Sequence, residues 1–233
     1  MKPTSDSLSR RALLARAGAA SLGALLPMRS LFARRLTAPS GTLVLPQGGG
    51  CILSPAETEG PYYINPRLVR TDISEGLAGL PLQLNLRVLR VAGCVPISGA
   101  IVDIWHCDAA GIYSGFTGQL GGVTSVGQNF YRGVQLTDAN GNATFHTNYP
   151  GWYPGRTVHI HFKVILGAAT AVTSQLYVPD TLTDEVFAAC EPYTARGVRN
   201  TRNTQDPLYN AQLLMSPTVQ KGGVVANFTI GIA

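Results

Sequence analysis

The sequence lacks several features that would assign it to common protein classes. Only 13% of its 233 residues are charged, and no repeat recurs along the chain, which argues against a repeat array. No apolar stretch is long enough to span a membrane stably. The four cysteines form no paired Cys-x-x-Cys pattern of the kind that binds structural zinc. These absences favour one catalytic-sized globular domain without a stable membrane span.

Most of the chain carries no net positive charge, because the basic residues in excess lie at its start. Residues 1–35 hold seven basic residues and one acidic residue, and they account for the formal net charge of +5. The remainder holds 11 basic and 12 acidic residues. The main part of the protein therefore offers no basic surface for nucleic acid or for an anionic membrane. We expect no nucleic-acid partner.

The first 35 residues are typical of an export signal. Arg10 and Arg11 form a basic pair, followed by a mildly apolar stretch rich in Ala and Gly. This pattern favours a twin-arginine signal for folded proteins, while an ordinary secretory signal and a disordered basic tail remain open as alternatives. We expect a periplasmic or extracellular protein. Residues 36–56 are rich in Gly, Pro and Ser, which predicts a linker or an ordered arm.

Short alternating runs predict an all-β fold for residues 57–233. In residues 82–88, apolar and polar residues alternate as in a strand with one buried face. Together with 26 glycines and 15 prolines, such runs favour an all-β over an α/β architecture. Further strands are predicted in the segments AIVDIWHCD, GVQLT, NATFHT, VHIHFKVIL, SQLYV and VVANFTIGI.

Three other segments are predicted to connect these strands. Residues 138–141, Asp-Ala-Asn-Gly, lie between two predicted strands and indicate a hairpin turn. A short helix is predicted over residues 184–189, and an ordered loop over residues 196–210.

The chain has four cysteines, and all of them follow the predicted signal. An even number of cysteines in an exported chain is typical of disulfides. Four cysteines allow three pairings, and the sequence leaves the choice among them open. They are Cys51, Cys94, Cys107 and Cys190.

Two histidines, His159 and His161, are separated by one residue in a predicted strand. Side chains alternate between the faces of a strand, so both imidazoles are expected on the same face. Paired imidazoles are suited to metal binding, although exposed or hydrogen-bonded histidines give the same pattern. The opposite face carries an apolar row typical of a β-sandwich core, namely Val158, Ile160, Phe162 and Val164.

The segments around these histidines resemble those of the intradiol ring-cleavage dioxygenases, over about residues 57–180. The similar segments are TEGPYY, WHCDAAGIYSGF, FYRGVQLTDANG, YPGWYPGRTVHIHF and SQLYVPD. The resemblance implies a β-sandwich with a non-haem Fe(III) cofactor. Two tyrosinate oxygens are hard donors that favour Fe(III) over Fe(II). The implied ligands are Tyr113, Tyr153, His159 and His161.

The same resemblance implies roles for residues near the metal. Tyr153 would be the axial ligand, which leaves the metal and takes a proton when substrate binds. Arg156 would stabilise negative charge on the substrate ring, and Gln175 would help to orient the ring. Core packing is an alternative role for one residue of the implied substrate mouth, Tyr62. The residues of this mouth are Gly60, Pro61 and Tyr62.

Other residues of ligand type match none of these positions. The two remaining histidines are expected to be structural or to support the ligands, and the two tyrosines are not expected to bind metal. Trp105 is expected to pack beside Tyr113. The excluded residues are His106, His146, Tyr131 and Tyr149.

The resemblance predicts intradiol cleavage of a catechol-type ring by O2 at Fe(III), giving a cis,cis-muconate-type diacid. The segment between Tyr153 and His159 is shorter than in the protocatechuate enzymes, and it leaves the identity of the catechol open. The oligomeric state is also open. The alternative is a non-catalytic β-sandwich that binds iron or an aromatic ligand, but such a module would need neither Arg156 nor Gln175.

Overall fold

The computed structural model describes residues 51–233. The predicted export signal of residues 1–35, and residues 36–50 of the predicted linker, lie outside the described residues. In the described part, helix α1 spans Asp180–Ala189 and begins earlier than the predicted residue 184. The strands are β1 (Pro81–Arg90), β2 (Val95–Pro96), β3 (Ile101–Trp105), β4 (Arg132–Leu136), β5 (Asn142–Asn148), β6 (His159–Leu166), β7 (Ala169–Tyr177), β8 (Ser216–Gln220) and β9 (Gly223–Ile232).

The strands form two sheets that pack face to face. The first sheet has the order β2-β1-β9-β8, with β5 also paired to β1, and the second has the order β4-β3-β6-β7. One hydrophobic cluster contains inward side chains of both sheets, such as Leu84 of β1 and Phe162 of β6. The predicted all-β fold is confirmed in part, because the described residues form two β-sheets together with helix α1. The alternating residues of β1 lie in this core as expected.

The predicted hairpin at residues 138–141 is wrong. A turn does form there, because the Asp138 carboxylate accepts the N–H groups of Asn140 and Asn142, and Gly141 has a φ of +79°. However, β4 pairs with β3 in one sheet, whereas β5 pairs with β1 in the other. The turn therefore carries the chain from one sheet to the other.

An N-terminal arm, residues 51–64, crosses the outer face of the four-stranded sheet. Its start is fixed by a disulfide between Cys51 and Cys94, with a Cα–Cα distance of 5.4 Å. The arm then contacts β7, where the Glu57 N–H donates to the carbonyl of Thr173 at 2.9 Å. Within the described residues, Cys107 and Cys190 are buried free thiols.

No helix in residues 51–233 is both long and apolar enough to cross a membrane.

Candidate metal centre

Strand β6 separates a core face from a polar face, as predicted. Val158, at the start of the apolar row, and Ile160 are fully buried in the core between the sheets. His159 and His161 lie on the other face, where the arm covers them and leaves each only 2% exposed. Both faces of this strand are thus buried, and the two histidines are not surface residues.

Four polar atoms of the predicted ligand set converge on this face. The Nε2 atoms of His159 and His161 are 3.2 Å apart. The hydroxyl oxygens of Tyr113 and Tyr153 lie 3.2 and 3.3 Å from His159 Nε2. The structure therefore brings together the four side chains that the resemblance singled out.

Hydrogen bonding and burial set the protonation of the two histidines. His159 Nδ1–H donates to the Thr157 carbonyl at 2.7 Å, which leaves the Nε2 lone pair directed into the cluster. Burial, together with the positive charge of Arg156, lowers the pKa of His159 to about 3. Burial also holds the pKa of His161 well below its usual value. Both imidazoles are therefore neutral, as ligation requires.

Burial has the opposite effect on the two tyrosines. It raises the pKa of Tyr153 to about 12 and holds that of Tyr113 well above its usual value. Without a cation, both phenols keep their protons. A bound multivalent cation would supply the charge that stabilises the phenolates.

The loop that carries Tyr113 is held by side chains on its own backbone. The Tyr113 N–H donates to Gln119 Oε1 at 2.7 Å, and the Gln119 amide donates back to the Tyr113 carbonyl at 2.7 Å. Ser125 Oγ donates to the same carbonyl at 2.6 Å. The Tyr113 side chain is 0% exposed, so this predicted ligand is enclosed by its surroundings.

Two glycines let the Tyr113 and Tyr153 loops touch. A Cβ on Gly111 would lie 2.3 Å from the Trp152 carbonyl oxygen, and one on Gly151 would lie 2.2 Å from the Asp108 carbonyl oxygen. The Gly151 N–H instead donates to this Asp108 oxygen at 3.1 Å. Each glycine precedes its tyrosine by two residues, so the absence of a side chain at both glycines permits the two tyrosine loops to approach each other.

Arg156 and Gln175 lie beside Tyr153. Arg156 Nη1 is 3.3 Å from the Tyr153 hydroxyl, and Nη2 donates to Gln175 Oε1. Gln175 is fully buried and pairs with His161 across β6 and β7. A positive charge and a buried amide thus lie on the Tyr153 side of the cluster.

The arm places the predicted mouth residues on the cluster. The ring of Tyr62 stacks on Tyr113 with a centroid distance of 4.6 Å and meets the Tyr153 ring edge-on at 6.2 Å. A Cβ on Gly60 would lie 3.4 Å from His161 Cε1, and Pro61 between them is exposed. Tyr62 therefore lies against Tyr113 and Tyr153 and outside the main core cluster.

The excluded histidines and tyrosines lie elsewhere. His106 is buried and its ring nitrogens contact the Cys107 carbonyl and Thr147 Oγ1, whereas His146 is exposed. The hydroxyl of Tyr149 pairs with Thr183 Oγ1, and that of Tyr131 accepts from Asn148. Trp105 lies in the same buried cluster as Tyr113, as expected, and its ring also stacks on the imidazole of His161 at a centroid distance of 4.9 Å.

Two charged residues of this region carry no prediction from the sequence. Asp206 is buried and binds the Arg156 guanidinium. Arg132 is buried and donates to the carbonyls of Tyr62 and Ser114, each at 2.8 Å, so it ties the arm to the Tyr113 loop. Neither residue belongs to a short local pattern, although Arg132 lies in the FYRG segment.

The residues present fit a single first-row metal ion. Oxygen and nitrogen donors that share one ion at about 2 Å lie roughly 3 to 4 Å apart, and the three donor atoms nearest His159 Nε2 lie 3.2 to 3.3 Å from it. Among residues 51–233, no group of three His, Cys, Asp or Glu side chains is placed to hold a metal. A site at this position therefore depends on the tyrosines, which suit Fe(III).

Comparison with known proteins gives the family. The family model described as "Dioxygenase" matches residues 58–206, more than half of the chain. An intradiol ring-cleavage dioxygenase from Tetranychus urticae is 32% identical, with a TM-score of 0.72 over 78% of this chain and 95% of that chain. The dioxygenase domain of a carbohydrate-binding fusion protein from Streptomyces sp. SirexAA-E is 31% identical. Its TM-score is 0.60, and the match covers 77% of this chain and 97% of that chain. The chain belongs to the intradiol ring-cleavage dioxygenase family.

Curated relatives match a smaller share of this chain than these two structures do. A chlorocatechol 1,2-dioxygenase from Pseudomonas putida is 28% identical over 35% of this chain and 36% of its own length. One from Cupriavidus pinatubonensis is 28% identical over 54% of this chain and 56% of its own length. The matches thus span between a third and about half of these longer relatives.

Proposed function

We propose that the protein is an oxygenase that cleaves the ring of a catechol between its two hydroxylated carbons. The reaction consumes O2, places both oxygen atoms in the product and gives a cis,cis-muconate-type diacid. The convergence of two tyrosine oxygens and two histidine nitrogens in one buried cluster carries this proposal. Membership in the family supports it, as do the relatives named as chlorocatechol 1,2-dioxygenases.

The cofactor in this proposal is Fe(III), held by Tyr113, Tyr153, His159 and His161. When bound at these four residues, Fe(III) would supply the Lewis acidity that favours the deprotonated catechol and makes its ring reactive toward O2. Tyr113 is fully buried and stays in place, whereas Tyr153 is partly exposed. The Tyr153 oxygen is therefore the group that takes a proton from a substrate hydroxyl.

Neighbouring side chains bind and orient the ring in this proposal. Arg156, whose Nη1 lies 3.3 Å from the Tyr153 hydroxyl, places positive charge where the substrate becomes negative. Gln175 fixes one edge of that guanidinium. Gly60, Pro61 and Tyr62 form a wall, in which the Tyr62 ring excludes water and faces a planar substrate.

The test is O2 uptake by iron-loaded protein with catechol, 4-methylcatechol, hydroxyquinol and protocatechuate. We expect uptake matched by a ring-opened diacid with at least one of them, and a red to brown protein with about one iron per chain, because tyrosinate–Fe(III) charge transfer absorbs visible light. Bound iron without uptake on any of the four would favour a binding module instead. Full activity with zinc in the site would also contradict the proposal.

A further inference from the structure

The guanidinium of Arg156 is held on three sides. Its Nε lies 2.9 and 3.1 Å from the two carboxylate oxygens of Asp206. Its Nη2 donates to Gln175 Oε1, and its Nη1 lies 3.3 Å from the Tyr153 hydroxyl. A guanidinium is planar and rigid, so the contacts of two sides determine where the third side points.

Asp206 is surrounded by hydrogen-bond donors. Oδ2 accepts the N–H of Thr157 at 2.9 Å, and Oδ1 accepts the N–H of Leu208 at 2.9 Å, in addition to Arg156 Nε. The side chain of Asp206 is 0% exposed, and a buried carboxylate needs such partners to remain charged. Both carboxylate oxygens accept from N–H donors. An asparagine at this position would therefore direct its NH2 group at one of these donors in either orientation of the amide, and that hydrogen bond would be lost.

The Asp206 carboxylate is also connected to His159 by hydrogen bonds through Thr157. Thr157, whose N–H binds Asp206, uses its carbonyl oxygen to accept the Nδ1–H of His159 at 2.7 Å. Its hydroxyl donates to Asn203 Oδ1 at 2.7 Å. The turn at residues 203–206 therefore fixes the segment from which both Arg156 and His159 project.

We propose that Asp206 is a positioning residue for ring cleavage, whose carboxylate holds Arg156 with Nη1 directed at the Tyr153 hydroxyl. This inference rests on the proposed function. Without the carboxylate, the guanidinium loses its charged partner and turns away from the phenol. A displacement of about 1 Å at a reacting group costs up to about 100-fold in rate.

The test compares Asp206→Asn with Asp180→Asn. Asp180 accepts from Arg199 Nη1 at 2.8 Å and from the Asn203 N–H at 3.2 Å. Its variant therefore removes a carboxylate that binds the same loop but is no partner of Arg156, and an amide oxygen at position 180 can still accept the Asn203 N–H. We expect Asp206→Asn to keep its iron and to lose about 10- to 100-fold in kcat/KM, Asp180→Asn to stay near wild type, and Asp206→Glu to recover part of the loss.

A double-mutant cycle shows whether Asp206 acts through Arg156. In an Arg156→Lys background, Asp206→Asn should cost at most a few-fold more, because the group that it positions is already absent. An undiminished loss in that background, or an equal loss in Asp180→Asn, would overturn the proposal.

A second measurement needs neither iron nor substrate. In metal-free protein labelled with ¹⁵N-arginine, the Arg156 Nε–H signal should be protected from hydrogen exchange in the wild type and unprotected in Asp206→Asn. Protection that survives the substitution would overturn the positioning role. Protection that disappears in a protein inactive on every catechol would instead uphold the positioning and contradict the proposed function.

Discussion

At the scale of single residues, burial distinguishes three tyrosines that are close in sequence or in space. Tyr113 is enclosed and fixed by its loop, whereas Tyr153 is partly exposed beside Arg156. Tyr149 lies in the main core, where its hydroxyl pairs with Thr183 at 2.7 Å. Tyr153 is therefore the only one of the three that is partly exposed and beside a positive charge, which supports its proposed role as the group that leaves the metal and takes a proton.

Replacement of this hydroxyl tests the assignment. Tyr153→Phe should keep some iron through Tyr113, His159 and His161, shift the visible band, and slow turnover by about two to four orders of magnitude, because phenylalanine cannot accept a proton. The measurement is kcat together with the absorption spectrum of iron-loaded protein. Tyr149→Phe is the matched control and should keep its colour and most of its activity. If the two variants exchanged these properties, the ligand loop would have to be reassigned around Tyr149.

Local spacing predicts some residues of the site and misses others for a physical reason. His159 and His161 are visible in the sequence because a strand places alternate residues on one face. Asp206 lies 50 residues from Arg156, and the loop that carries it has no periodic pattern. A salt bridge of this kind depends on tertiary packing, which the sequence pattern does not contain.

At the scale of elements, His106 connects the end of β3 to β5. Its Nδ1–H donates to the Cys107 carbonyl at 2.8 Å, and its Nε2 accepts from Thr147 Oγ1 at 2.8 Å. Burial lowers the pKa of His106 from 6.5 to about 4. The unfolded chain therefore binds a proton more readily than the folded protein between these values. The contribution of His106 to stability is complete above pH 6.5 and is lost as the pH falls toward 4.

This difference predicts a pH dependence of the free energy of unfolding. Between about pH 7.5 and 4.5, the metal-free wild type should lose roughly 2 to 3 kcal/mol more than His106→Gln, since one pKa unit corresponds to about 1.4 kcal/mol. Denaturant unfolding at the two pH values measures it. Equal losses in both proteins would show that His106 is not buried as a neutral residue.

The arm is a second element with its own prediction. Glu59 pairs with Lys163 and the Tyr63 hydroxyl donates to Asp103 at 2.9 Å, so side chains hold the arm beyond its disulfide. The disulfide joins residues 43 apart in sequence. In the chain-entropy account, a loop of that length contributes about 4 kcal/mol.

Cys51→Ser with Cys94→Ser should lower the free energy of unfolding by up to about 4 kcal/mol. It should also raise KM more than it changes kcat, because the Tyr62 wall loosens while the proposed metal ligands, which lie outside the arm, stay in place. Chymotrypsin should cleave the arm faster in the double variant than in the wild type.

Cys190→Ala is the control, since this buried thiol forms no disulfide. An unchanged KM in the double variant would show that side-chain contacts alone hold the arm.

Strand pairing was less predictable than strand position. The alternation in β1 and β6 follows from the sequence, yet β1 pairs in parallel with β9, more than 130 residues away. The turn at residues 138–141 has hairpin residues but connects different sheets. Turn chemistry reports local backbone conformation, whereas pairing depends on which apolar faces meet in the core.

At the scale of the whole molecule, the structure describes the β-sandwich of residues 51–233, and the predicted export signal lies outside the described residues. The sandwich and the family follow from segments distributed over residues 57–180, and the structure and the comparisons confirm both. We propose that residues 1–35 direct export of the folded protein. The disulfide between Cys51 and Cys94 fits this proposal, since such bonds persist in oxidising compartments.

Export can be tested through the arginine pair and the disulfide together. Replacing Arg10 and Arg11 with lysine should retain the protein in the cytoplasm, because the folded-protein pathway reads the paired guanidinium groups. Retained protein should then have reactive thiols at Cys51 and Cys94, whereas exported wild type should not, because the cytoplasm keeps thiols reduced. Fractionation followed by thiol labelling measures both effects. Unchanged export of the lysine variant would point to the general secretory route, in which the chain crosses unfolded and the iron must be acquired outside the cytoplasm.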